Sequence, residues 1–373
     1  MSIRLGRILG IPIKIDASWL IIFGLIVYTL AVGYFPRFKP NLGAPMNWLG
    51  GVIAALLLFG SVLLHELMHS YVAKKNRLPV GGITLFIFGG VSELTEEPET
   101  PGLELKMAIA GPATSIVLGI LLLVAARLGG IATFGELGLA IVGYLGGINL
   151  ALGVFNLIPG FPLDGGRVLR AILWGSMHDI DKATRIASGV GQGFGYLFIA
   201  GGFLIMLSGQ FLSGLWLIFI GWFLNNAAHQ SYQMLVLKRA LSGVEVSRVM
   251  MTDYPHIAPH TTLDEFAEDY LLKYDYRAYP VSEDDRLLGI VTVDEVRGIP
   301  REQWATTTVG TVAKPPEQEL VIDENDDAFD ALMRMARGNL RGLLVMHEGK
   351  FEGMVTQESI MNLVRAKLQL GIS

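Results

Sequence analysis

Residues 51–75 read GVIAALLLFGSVLLHELMHSYVAKK, and inside that run stands His65-Glu66-Leu67-Met68-His69. The run is long and apolar enough to cross a bilayer, which takes roughly 20 apolar residues. On a helix, positions i and i+4 share a face, so both imidazoles reach one ion with Glu66 beside it. Ionisable groups are costly at membrane depth, and where they occur they point to function. A buried His–Glu–His network that merely ties helices together is the structural alternative.

Working outward, five further runs are candidate spans, giving six in all: about 17–36, 48–73, 105–127, 135–158, 189–208 and 211–230. The fourth is interrupted by Gly143, Gly146 and Gly147, which permit close helix packing. Charge divides the 373-residue chain. Residues 1–243 hold 16 Lys/Arg and 11 Asp/Glu, whereas residues 244–373 hold 13 and 23. The first part reads as a membrane domain (1–232) and the second, beyond a linker over 233–245, as an acidic soluble tail.

Lys and Arg in short loops set the orientation. Arg4, Arg7 and Lys14 precede span one, Lys74, Lys75 and Arg77 follow span two, and Lys238 and Arg239 follow span six. Arg167, Arg170, Lys182 and Arg185 lie between spans four and five. The other side offers Arg37, Lys39 and Arg127. Both termini are therefore expected in the cytosol, with the chain in the cell's inner membrane. The chain has no cysteine, which excludes disulfides, thiol catalysis and Cys–zinc sites. A net charge of -5 offers no basic patch, so no nucleic-acid partner is expected. No signal-peptide cleavage pattern stands before the first span.

Two histidines do not complete a catalytic zinc site, which takes three protein ligands and a water. His178, His229, His256, His260 and His347 fall in loops or in the tail. Asp164 is the better third ligand. It lies in NLIPGFPLDGGR (156–167), at the end of span four, which faces the same side as the end of span two. Pro159 and Pro162 break the helix, and Gly165 and Gly166 allow a tight turn. The alternative is a helix-ending turn with an aspartate cap. Between spans two and three, VGGITLFIFGGVSEL (80–94) is too short to cross and too apolar for an ordinary loop. It reads as a re-entrant or edge-strand element, or as a short structural hairpin.

With these motifs in hand, the chain resembles the site-2 protease family of intramembrane metalloproteases. HELMH, NLIPGFPLDGGR, the Gly-rich GGITLFIFGGVSEL and Ala110-Gly111-Pro112 carry the resemblance, in the family's order. It implies one zinc per chain and cleavage of single-pass transmembrane substrates near or within the bilayer. It further implies that the GGITLFIFGG segment places the unwound substrate and that spans one, five and six gate entry. Glu66 is the expected general base. Asn156 is expected either to stabilise the oxyanion or to hold a structural bond.

The tail repeats at an offset of about 64 residues: Tyr279-Pro280-Val281 and GIVTVDEV (289–296) recur as Leu343-Leu344-Val345 and GMVTQESI (353–360). Each copy reads as a strand, an amphipathic helix, two strands and a helix. The repeat is similar to a pair of cystathionine-β-synthase (CBS) domains, over 246–304 and 305–373. That resemblance implies an adenine nucleotide (ATP, ADP or AMP) near Thr292, Asp294, Glu295 and Thr356, or a purely structural module. It also implies a homodimer through the CBS pair. Where the first copy has Glu295, the second has Ser359. The expected architecture is thus a polytopic α-helical membrane domain of six spans with a small β element, followed by a soluble α/β CBS pair. Two rival readings are a CBS-gated transporter or channel, and an inactive relative acting as a membrane-helix adaptor.

Overall fold

The computed structural model describes residues 2–38, 43–87, 89–94, 97–128, 135–274, 278–283, 286–316, 318–338, 340–348 and 350–370. Lys39, used above in the orientation argument, Phe88 of segment 80–94 and residues 371–373 of the second CBS copy lie outside them. Two compact units emerge, Met1–Gln233 and Met234–Ser373.

Among the described residues, six helices are long and apolar enough to cross a membrane. They are α1 (Ser18–Phe38), α2 (Ala44–Lys75), α3 (Pro101–Arg127), α4 (Gly135–Asn156), α6 (Ile180–Leu207) and α7 (Phe211–Leu241), with the shorter α5 (Asp164–Met177) between α4 and α6. The expected spans hold, with changed ends. Helix α6 begins nine residues earlier than read, because the Asp179 carboxylate caps it, accepting the N–H groups of Asp181 and Lys182. Helix α7 runs on to Leu241, so residues 233–241, given above to a linker, are helical. At 32 residues, α2 is about 48 Å long and outreaches a hydrocarbon core of about 30 Å.

Small residues bring α3 and α4 together. A Cβ at Gly119 would come 2.8 Å from the Leu150 nitrogen, and one at Gly153 would come 2.9 Å from the Pro112 carbonyl. Of the three glycines noted in span four, Gly146 faces α3, where a Cβ would meet Leu123 at 2.8 Å. Gly143 and Gly147 face open space.

The N-terminal stretch, unassigned from sequence, forms an antiparallel hairpin of β1 (Ser2–Ile8) and β2 (Ile11–Asp16). Segment 80–94 forms a second hairpin, β3 (Val80–Phe86) and β4 (Gly89–Leu94). Strands β2 and β3 run parallel, giving a sheet ordered β1-β2-β3-β4 with β4 at an edge. Ile11, Ile13 and Ile83, each no more than 2% exposed, pack against Leu63 and Leu67 of α2. Burying such side chains stabilises by about 1.5–3 kcal/mol each. The sheet is thereby fixed to the helix that carries His65 and His69.

In the second unit, β5 (Ala278–Glu283) pairs with β6 (Arg286–Thr292), and β7 (Val321–Asp323), β8 (Gly342–His347) and β9 (Lys350–Thr356) form a second sheet. The copies correspond closely. The Ile257–Val281 parallel bridge occupies in the first the place of the β7–β8 pairing in the second. Each strand pair is followed by a helix, Val293–Arg297 and Gln357–Leu370.

Candidate metal centre and tail cavity

Two helices, α2 and α5, bring His65, His69 and Asp164 together, with one ligand atom of each within 4.8 Å of the others. Nε2 of His65 lies 3.1 Å from Asp164 Oδ2, and Nε2 of His69 lies 3.2 Å from the same oxygen. Both imidazoles come from one face of α2, as their spacing predicts. Asp164 comes from the first turn of α5, with Leu163 as the cap residue. The aspartate is thus not the helix cap that the alternative reading made it.

The second ring nitrogens are occupied. His69 Nδ1 donates to the Met107 carbonyl at 2.7 Å, which leaves Nε2 as the ring nitrogen that faces Asp164. His65 Nδ1 and the buried Ser115 hydroxyl are 2.9 Å apart. Both partners belong to α3. Gly111, between them on that helix, is required by space: a Cβ there would run into Nε2 of His69 and come 2.6 Å from Nε2 of His65.

The donor set fits zinc. Bonds of about 2.1 Å in a tetrahedral site put neighbouring ligand atoms about 3.4 Å apart. The two nitrogen–oxygen separations here are close to that value. Fixing the remote imidazole nitrogen by hydrogen bonding is also what a metal-ligating histidine needs.

Glu66 stands beside the cluster against edge strand β4. A Cβ at Gly90 would lie 2.5 Å from Glu66 Cγ, so glycine lets the strand approach the carboxylate. Ser70 of α2 and Ser92 of β4 join hydroxyls at 2.8 Å. Asn156 ends α4 and donates to the Leu152 carbonyl at 3.0 Å. Among the described residues, no hydrogen bond ties Asn156 to Glu66 or to the three-residue cluster.

The turn that delivers Asp164 is seated on α6. The Phe161 N–H donates to the Ala187 carbonyl at 3.3 Å, and a Cβ at Gly191 would strike the Phe161 carbonyl. Arg170, counted above among loop cations, is instead a buried helical residue, paired with Glu104. Sequence reasoning missed Ser115, Glu104 and Arg170 as parts of this site. A serine on an apolar helix carries no signal, but a glutamate at the start of span three did.

In the tail, a cavity of about 290 Å³ collects Thr292, Glu295 and Thr356, together with Lys314 and Arg341, against apolar Ile290. Asp294 is not among its lining residues. Thr292 and Glu295 form a capping box: Glu295 Oε2 accepts the Thr292 N–H at 2.9 Å and also pairs with the Thr292 hydroxyl. Lys314 Nζ lies 3.3 Å from the other Glu295 oxygen. Burial raises the Glu295 carboxyl, but the Thr292 hydroxyl and Lys314 outweigh it and hold the group below its usual range. In the second copy, Thr356 and Ser359 exchange backbone-to-hydroxyl bonds of 3.1 Å in each direction. Ser359 therefore does the capping work of Glu295 without its charge.

Six apolar helices, one of them carrying H-E-x-x-H and facing an aspartate from the neighbouring α5, make the arrangement of a membrane-embedded metalloprotease. Comparisons agree. A profile of peptidase family M50 matches residues 53–136 and 132–200, and the CBS domain profile matches 246–301 and 309–366. A protein of Synechocystis sp. with a provisional zinc-metalloprotease name is 38% identical over 367 residues, 98% of this chain and 96% of that one. A zinc metalloprotease of Methanocaldococcus jannaschii is 31% identical over 360 residues, 96% of this chain and 95% of that one. The solved site-2 protease of Methanocaldococcus jannaschii is 34% identical, covering 62% of this chain and 95% of that chain, with a TM-score of 0.45.

The chain belongs to peptidase family M50, the site-2 proteases, and carries a tandem of CBS domains. It is a multi-pass intramembrane zinc metalloendopeptidase.

Proposed function

We propose that His65, His69 and Asp164 hold the zinc, and that Glu66 is the general base for cleavage of single-pass transmembrane proteins. The observation that carries the reading is the convergence of both Nε2 atoms on one Asp164 oxygen, with both Nδ1 atoms already engaged. When bound, zinc supplies the Lewis acidity that polarises water and the scissile carbonyl. The chain does the rest. Glu66 takes a proton from the attacking water and returns it to the leaving amine. Strand β4, an edge beside Glu66, offers backbone groups to an unwound substrate segment, since an intact helix hides its carbonyls. An amide nitrogen carries two N–H groups; Asn156 commits one to Leu152 and has a second for the oxyanion.

The even number of spans and the Lys/Arg bias support cytosolic termini and an inner-membrane location. The tail cavity supports a regulatory adenine nucleotide. Glu295 suits ribose hydroxyls, Lys314 and Arg341 suit phosphate, and Ile290 offers an apolar wall for the base. A homodimer through the CBS pair is part of the same reading, and mass measurement in nanodiscs checks it. Cleavage of a model transmembrane substrate in nanodiscs tests the whole. It is expected in wild type, lost after chelation and restored by one equivalent of zinc. Cleavage that survives full zinc removal would refute the reading. ATP, ADP and AMP titrated onto the full chain test the tail, with weaker binding expected in Lys314→Met and Arg341→Met.

A further inference from the structure

A buried ion pair in the membrane domain takes no part in the chemistry above. Glu104 is 2% exposed and Arg170 is 8% exposed. Arg170 Nε donates to Glu104 Oε1 at 2.6 Å, and a terminal guanidinium nitrogen pairs with the same oxygen. The other oxygen, Oε2, has no hydrogen-bond partner among the described residues. Burying two charges for stability alone is a poor exchange, because desolvation cancels much of the attraction. Leaving one oxygen unbonded makes it poorer still.

The pair's position gives it another use. Arg170 lies on α5, six residues after Asp164, and its guanidinium sits 5.3 Å from the centre of the Phe161 ring, in the turn that leads into Asp164. Glu104 lies on α3. There Glu104, Met107, Gly111 and Ser115 follow one another at i, i+3, i+7 and i+11, a single helical face. Met107 holds His69, Gly111 admits both rings and Ser115 holds His65. Glu104 adds a charged link, beside direct packing of the two helices, to the helix that bears the third residue. One face of α3 thus contacts both histidines directly and the aspartate's helix through Arg170.

We propose that the Glu104–Arg170 pair is a positioning device that sets Asp164 against His65 and His69. This rests on those three residues being the metal ligands. Six residues of helix span about 9 Å. Over that lever a tilt of about 6° moves the aspartate by about 1 Å, several times the tolerance of about 0.2 Å in a metal–ligand distance. The two-nitrogen contact on Glu104 fixes both the rotation and the tilt of α5, which a lone point charge does less well.

The test measures zinc affinity by chelator competition and the visible spectrum of the cobalt-substituted full chain in nanodiscs. Each variant is paired with the melting temperature of its metal-free form. The variants are Arg170→Lys, which keeps the charge without the fork, and Glu104→Leu/Arg170→Met, which removes both charges together. The double variant is expected to bind zinc about 10–100-fold more weakly, as for other groups that orient metal ligands. Its cobalt bands shift while its metal-free melting stays near wild type. Arg170→Lys is expected to fall between the two. Wild-type affinity and cobalt bands in both variants overturn the proposal. So does weaker binding that only follows a loss of metal-free stability, with bands unshifted. If the double variant does not fold, Arg170→Lys decides by the same criteria. Wild type that binds no zinc would instead overturn the ligand assignment, and this role with it.

Discussion

The metal centre and the tail cavity each present a carboxylate in the first turn of a helix, Asp164 and Glu295, and the two are held in opposite ways. Asp164 points at two ring nitrogens whose opposite nitrogens are already bonded to Ser115 and Met107. Glu295 turns back on its own helix, capping Thr292, and meets Lys314 on its other side. A motif supplies a residue type at a place; the partners of that residue decide whether it serves a ligand or the fold. The two CBS copies repeat the lesson, since Ser359 makes the cap that Glu295 makes and leaves no charge behind.

If the contrast is real, substitutions at the metal centre should act on zinc and rate, and those in the tail on stability and ligand binding. The largest effect is expected for Glu66→Gln. Single-turnover cleavage should fall by about 10²–10⁴-fold, the usual worth of a general acid–base, with zinc content unchanged. Gly111→Ala comes next, because its Cβ enters the space of both Nε2 atoms. Zinc affinity by chelator competition should drop about 10–100-fold. Gly60→Ala on α2, where a Cβ meets nothing within 4 Å, is the control and should leave affinity unchanged. Ser115→Ala frees one ring nitrogen without a clash and should cost about 10-fold in the same assay.

The smallest effect lies in the tail. The Glu295 pKa is lower in the folded chain than its ordinary value of 4.5, so the group stabilises the fold above that value. The contribution disappears as pH falls through the lowered folded value. In the full chain, the tail's melting transition should decline more steeply for wild type than for Glu295→Gln between about pH 6 and pH 3. Parallel curves would mean that the cap and Lys314 do not hold the carboxylate.

How far the sequence could be read follows from the range of each interaction. The six spans and the H-E-x-x-H face were legible because they depend on local hydrophobicity and on the 3.6-residue period. Asp164 was legible because prolines and paired glycines mark its turn. The N-terminal hairpin was not, since beyond its own β1–β2 pairing β2 is held in the sheet by β3, where Ile13 lies opposite Ile83, some seventy residues away. The ends of α6 and α7 were misjudged where polar residues such as Asp181, Lys182 and Gln233 lower local hydropathy without ending the helix. Ser115, Arg170 and Lys314 take their meaning from partners far along the chain: His65, Glu104 and Glu295. Nothing in their own neighbourhoods announces that.

Zinc content of purified Asp164→Ala, compared with wild type, reaches the central claim most directly. One zinc per chain in wild type and a small fraction of that in the variant is the predicted result, with the variant still folded in detergent by its melting curve. Full zinc occupancy at wild-type affinity in Asp164→Ala would show that the third ligand lies elsewhere, and the site described above would be wrong.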